Sequence, residues 1–99
     1  MSEPTSAYRF AVNVTPKPGI LDPQGKAVER SLPHLGLAGV SGVRVGRRVE
    51  LTVAAADEPA ARAIVDRLAG ELLSNPLMEQ FGVEPLGEAE ATATAGVGG

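Results

Sequence analysis

Cysteine is absent from this 99-residue chain, and its absence excludes disulfides, zinc–thiolate sites, iron–sulfur clusters and thiol nucleophiles together. The single histidine, His34, leaves no histidine pair for a metal ion. Basic residues are in deficit, nine against twelve acidic, so no overall cationic field draws in nucleic acid or anionic lipid. No apolar run approaches the roughly 20 residues of a membrane helix. The stretch Met1-Ser2-Glu3-Pro4-Thr5-Ser6 lacks the basic and apolar regions of a signal peptide, so a soluble, cytoplasmic protein is expected.

At 43% hydrophobic and 21% charged, the sequence fits one small domain with a modest core. A core this small gains from assembly with other chains, and it cannot wall a large substrate cleft alone. Residues 1–7 read as a disordered lead-in, 8–86 as a single α+β domain, and the Ala/Gly/Thr-rich residues 87–99 as a disordered tail.

Tyr8, Phe10, Val12 and Val14 alternate with Arg9, Ala11, Asn13 and Thr15, which predicts a half-buried strand ended by Pro16 and Pro18. Asp22-Pro23 is a helix start, with the carboxylate as cap and proline at the first position. Ala27, Val28, Leu32 and Leu35 follow at helical spacing. Pro33 predicts a bent or ending last turn, with Gly36 just after it. Val43 and Val45 lead to Val49, Leu51 and Val53, which predicts two strands. A three-residue connection, Gly46 to Arg48, or a bulge would pair Val45 with Val49 and Val43 with Leu51 and keep one face apolar.

Asp57-Glu58-Pro59 starts a second helix, whose stripe is Ala61, Ile64, Val65, Leu68 and Leu72. Ser74-Asn75-Pro76 stops it and leads to a short turn over 76–81. A final strand over Gly82 to Leu86 is confined by Pro85 to a sheet edge or a strand end. The order βαββαβ is the ferredoxin-like plan, an antiparallel sheet with two helices on one face, with the first and third strands placed centrally.

Gly19 to Lys26 has the look of a phosphate loop, but five residues stand where that motif has four, Ala27 takes the hydroxyl position, and Asp22 brings negative charge to the phosphate side. A capped helix below an ordered loop accounts for the same residues. Arg44, Arg47 and Arg48 cluster near the expected hairpin tip and read first as a solvated end. RNA recognition would need stacking aromatics, yet Tyr8 and Phe10 point to the core and Val49 to Val53 holds none. His34 has no oriented partner for base catalysis, and Glu79 and Glu84 read as surface charges. No residue set forms an active site, so catalytic residues are expected to be none.

Pro18 to Val28, Val43 to Arg47 leading into Val49-Glu50-Leu51, and Leu72 to Glu79 closely resemble, in order and spacing, the small PurS-type subunit of phosphoribosylformylglycinamidine (FGAM) synthase. The resemblance spans about residues 8–84. It implies a non-catalytic subunit in purine biosynthesis, bridging a glutaminase subunit that releases ammonia and a synthetase subunit that uses it, with ATP, to convert FGAR to FGAM. It implies a homodimer or tetramer, no cofactor or metal in this chain, and ATP, magnesium and glutamine used by the partner subunits. Neither nucleic acid nor membrane is an expected partner. Dense matching in loops makes Lys17, Gly19, Asp22, Pro23, Gln24, Lys26, Arg44, Gly46, Arg47, Asn75 and Pro76 the candidate partner-binding residues. The alternative is a ferredoxin-like regulatory domain binding a small metabolite at a subunit interface, and a stand-alone enzyme is a weaker third.

Overall fold

A computed structural model describes residues 5–89. The elements run β1 (Ser6–Pro16), α1 (Pro23–Ser31), a 3₁₀ turn (Leu32–Leu35), β2 (Arg47–Ala55), α2 (Glu58–Leu68), a π-helical turn (Ala69–Leu73) and β3 (Glu79–Glu88). The sheet is antiparallel, in the order β2-β1-β3, and with two helices the fold is α+β on a ferredoxin-like plan. The strands reach beyond the expected domain limits, from Ser6 and to Glu88; the readings for residues 1–4 and 90–99 lie outside the described residues.

Alternation does what the sequence predicts in β1. Phe10, Val12 and Val14 are fully buried, and Val53, Ala55, Ala61, Val65 and Ala69 close the core over them. The other face of the sheet is polar: Arg48 reaches Glu50 at 3.0 Å and Glu84 at 2.9 Å, and Arg9 lies 3.7 Å from Glu50. Pro85 is tolerated because β3 is an edge strand. A bulge between the Arg9–Gly87 and Phe10–Pro85 pairs sets the register there, with Gly87 at positive φ.

Both helix starts form as the sequence dictates. The Asp22 carboxylate accepts from the Gly25 amide at 3.0 Å, and that of Asp57 from the Ala60 amide at 2.9 Å. Pro33 tightens the end of the first helix into the 3₁₀ turn, and Gly36 closes it in the left-handed region at φ 71°.

In the second helix the stripe shifts. The inward side runs through Ala61, Val65 and Ala69 at four-residue spacing and on through the wider i→i+5 turn to Leu73, leaving Ile64 and Leu72 exposed. Ser74 Oγ donates to the Ala69 carbonyl at 2.8 Å, partnering an acceptor within that turn.

The expected second strand does not form, which corrects both the hairpin and the placement of its partner. Val43 to Gly46 run straight into β2 without folding back, and β2 takes an edge position instead of a central one. The reason is local. The amides of Val43 and Val45, which a ladder would use, donate instead to the carboxylates of Glu29 and Asp22, each at 2.8 Å. Buried Gly25 lets α1 lie against this segment, since a Cβ there would overlap the Val43 carbonyl oxygen. The apolar stripe of α1 stays open: Val28 is exposed, and Leu35, in the turn that follows, is 71% exposed.

Candidate functional site

Antiparallel pairing decides where the three matched blocks meet. Val14 pairs with Arg47 and Phe81, and Pro16 pairs with Glu79, so β1 ends where β2 and β3 begin. The connections over 17–22, 43–46 and 74–78 therefore gather at one end of the sheet. Between them lies a cleft of about 570 Å³, lined by Asp22, Pro23, Gln24, Gly46, Arg47 and Glu79 among others. Gly46 is a packing requirement there, because a Cβ would overlap the Val14 carbonyl oxygen.

Asp22 has two tasks. One carboxylate oxygen caps α1 through the Gly25 amide, and the other takes the Val45 amide. Those two amides hold its pKa below the usual 3.8. Arg44 points back into the chain and donates to the carbonyls of Pro16 and Lys17.

Arg47 forms a two-pronged pair with Glu79, both contacts at 2.9 Å, and also donates to the Leu73 carbonyl at 2.7 Å. Glu79 accepts from the Asn75 amide at 2.7 Å as well. Arg47 first, and Asn75 second, pull its pKa from 4.5 to about 2, while Glu79 raises that of Arg47. The arrangement fastens the end of the second helix to the starts of β2 and β3.

The remaining candidate residues lie around this cleft. Gly19, Lys26 and Arg44 line an adjoining hollow of about 410 Å³ with Glu29, whose carboxylate lies 3.6 Å from the Lys26 ammonium. Asn75 lines a third, of about 150 Å³, with Ile20, Leu21 and Met78. The Lys17 amide donates to the Met78 carbonyl at 2.9 Å, tying the residue just before the first block to the third. Pro76 is exposed in the turn beyond Asn75 and lines none of these hollows.

Sequence reasoning missed Glu29 and Glu79 as structural partners. The available signal for Glu79 was its place in the third block while two arginines, Arg44 and Arg47, stood in the second. His34 is exposed in the 3₁₀ turn and lines none of these hollows. Among the described residues no three His, Cys, Asp or Glu side chains gather to hold a metal, and no helix is long and apolar enough to cross a membrane.

The site is thus a braced set of loops in which Asp22, Glu29, Arg44, Arg47 and Glu79 are each paired with backbone or with one another. Comparison with known proteins agrees with the matched blocks. The family model for PurS, phosphoribosylformylglycinamidine (FGAM) synthase, covers residues 9–86. The phosphoribosylformylglycinamidine synthase subunit PurS of Synechocystis sp. is 41% identical over 75 residues, 76% of this chain and 75% of the relative. The crystal structure of the purS subunit from Thermotoga maritima matches with a TM-score of 0.77 at 31% identity, covering 85% of this chain and 97% of that one. A chain in the structure of PurLQS from Thermotoga maritima matches at 0.75 and 32% identity, over 81% and 98%. The chain belongs to the PurS family, the small subunits of phosphoribosylformylglycinamidine synthase.

Proposed function

We propose that this chain is the non-catalytic small subunit of FGAM synthase in purine biosynthesis, holding the glutaminase and synthetase subunits together so that ammonia passes between them in the conversion of FGAR to FGAM. The observation that carries the reading is the convergence of the three matched blocks on one braced end of the sheet, where Asp22, Arg44 and Arg47 fix the loops from within. A surface set before contact costs little to order on binding, which suits a bridging part. Without cysteine the chain supplies no thiolate for glutamine hydrolysis. ATP, magnesium and glutamine belong to the partner subunits, and the assembly works in the cytoplasm. The match to a chain from a PurLQS structure supports a place in such a complex.

The same chain acts as a homodimer, with pairs of dimers as a further step. Support comes from apolar surface left open on α1 and the 3₁₀ turn, at Val28 and Leu35, and from the unpaired outer edge of β2. A metabolite-sensing domain has less in its favour, because the polar atoms of Asp22, Arg47 and Glu79 that would hold a ligand are already engaged within the chain.

The test adds the purified chain to the synthetase and glutaminase subunits and compares glutamine-driven with ammonia-driven FGAM formation. Only the glutamine-driven rate should depend on the chain; equal rates with and without it would overturn the assignment.

A further inference from the structure

Little ties α1 to the rest of the chain. Of its residues only Gly25 is buried; Ala27 and Val28 are exposed, and in the 3₁₀ turn beyond it Leu32 is half-buried and Leu35 open. A helix this short is marginal in water unless tertiary contacts hold it. Among the described residues, two hydrogen bonds join the stretch from Asp22 to Leu37 to the rest of the chain. Glu29 Oε2 accepts from the Val43 amide and Asp22 Oδ2 from the Val45 amide, each at 2.8 Å. The other bonds of this stretch, Lys26 to Glu29, Ser31 to Ala27 and Leu37 to Leu32, close within it.

The segment that supplies the two amides is fixed independently of α1. Arg44 donates to the carbonyls of Pro16 and Lys17, and Gly46 packs against the Val14 carbonyl oxygen, all at the end of β1. The helix therefore closes onto a strap that is already seated. On both sides of it the chain can turn: Gly19 before it, and Gly39 and Gly42 after it, lie at positive φ, and residues 36–42 are exposed throughout.

We infer that Asp22 and Glu29 form a latch, and that the stretch from Asp22 to Leu37 opens from the Val43–Val45 strap and closes on it as one unit while the sheet and α2 stay folded. Both carboxylates sit on the unit and both amides on the strap, so the two bonds form and break together. Opening exposes the four groups to water, which satisfies each of them, so no unpaired buried polar group stands in the way. Almost no apolar surface is uncovered, because α1 buries only Gly25.

The latch is a property of the chain alone, with a consequence for contact. Gln24 and Lys26 ride on the unit, whereas Arg47 and Asn75 belong to the fixed end of the sheet. A contact that spans both sets exists only in the closed form, and a partner making it draws the chain closed.

Residue-resolved amide exchange on the full chain is the test. In the wild type, the amides from Lys26 to Leu32 and those of Val43 and Val45 should share one protection factor, at least tenfold below that of Phe10 and Val12 in β1. Glu29→Ala removes half of the latch while leaving a strong helix former in place. It should lower the protection of α1, Val43 and Val45 together by about tenfold, with β1 and α2 unchanged. Glu29→Gln, which keeps a neutral acceptor, should recover part of that loss.

A wild-type α1 as well protected as β1 overturns the proposal, because the unit then opens only with the whole domain. Unchanged protection in Glu29→Ala overturns it too, as does a loss confined to Val43, since the two bonds then act singly. If Glu29→Ala lowers β1 as much as α1, the stretch is part of the common core and the latch is refuted.

Discussion

Gly25→Ala should destabilise this protein, although the same exchange inside a helix ordinarily stabilises it by about 0.5–1 kcal/mol. Gly25 is buried where α1 meets the Val43–Val45 segment. A methyl group there would overlap the Val43 carbonyl oxygen and come within 2.7 Å of Asp22 Oδ2. Neither neighbour yields cheaply: the first is backbone, and the second accepts from the Val45 amide while the Gly25 amide holds the other oxygen of the same carboxylate.

Overpacking of this kind costs about 1–3 kcal/mol. Because the clash is with backbone, the cost falls in the upper part of that range, about 2–3 kcal/mol, so the net loss after the helical gain is about 1–2.5 kcal/mol, a fall in Tm of about 4–20 °C for a domain of this size. Gly70→Ala is the control, since its Cβ would meet only Phe81 at an ordinary 3.8 Å. Urea and thermal unfolding of both variants read the difference, and amide exchange at Val43 and Val45 should speed up in Gly25→Ala alone. A Gly25→Ala protein as stable as wild type, with those amides still protected, would refute the view that α1 is seated on this segment.

Val65→Ala removes two buried methyl groups beneath α2 and should cost about 2–3 kcal/mol in urea unfolding; under 1 kcal/mol would mean the site collapses freely. The folded pKa of Glu79, about 2, is depressed below the ordinary 4.5, so its contribution is fully present above pH 4.5 and is lost as the pH falls from there towards 2. The stability difference between wild type and Glu79→Gln should therefore shrink across that window, and a pH-independent difference would count against the Arg47 pair. Arg47→Lys keeps the charge but loses the two-pronged geometry and the Leu73 carbonyl contact. Faster amide exchange at Asn75 is expected there, with the core of β1 unchanged.

The legible parts of the fold were those set by local chemistry. Alternation in β1, the two Asp-Pro helix starts and the Pro33–Gly36 ending each depend on neighbours a few residues apart, and each forms as the sequence predicts. The illegible parts depend on partners far along the chain. Val43 and Val45 carry a strand pattern, but whether a strand forms depends on which acceptors its amides meet, and Glu29 and Asp22 supply them across 14 and 23 residues. The π-helical turn has no pattern of its own in the sequence. At the candidate site the blocks were legible as blocks. The inward roles of Arg44 and Arg47 were not, because a charge in a loop reads as solvated until its partner's position is known.

The lost strand and the open face of α1 follow from one another. Three strands about 4.8 Å apart give a sheet roughly 10 Å across from first to last, close to the diameter of a single helix. That width is taken by α2, which buries Ala61 and Val65 over β1 and β2. A fourth strand at the β2 edge would widen the sheet enough to receive a second helix. Here that segment is drawn off by the carboxylates of Glu29 on α1 and of its cap Asp22, so α1 gains its anchor and loses its floor. Among the described residues an unpaired strand edge and an uncovered helix stripe are left, Val28 with Leu35 beyond it. Neither is relieved by pairing Val43–Val45 onto the β2 edge without breaking the bonds that hold those two amides. A protein that leaves one helix to be covered from outside while bracing its loop end from inside is built as a component of an assembly.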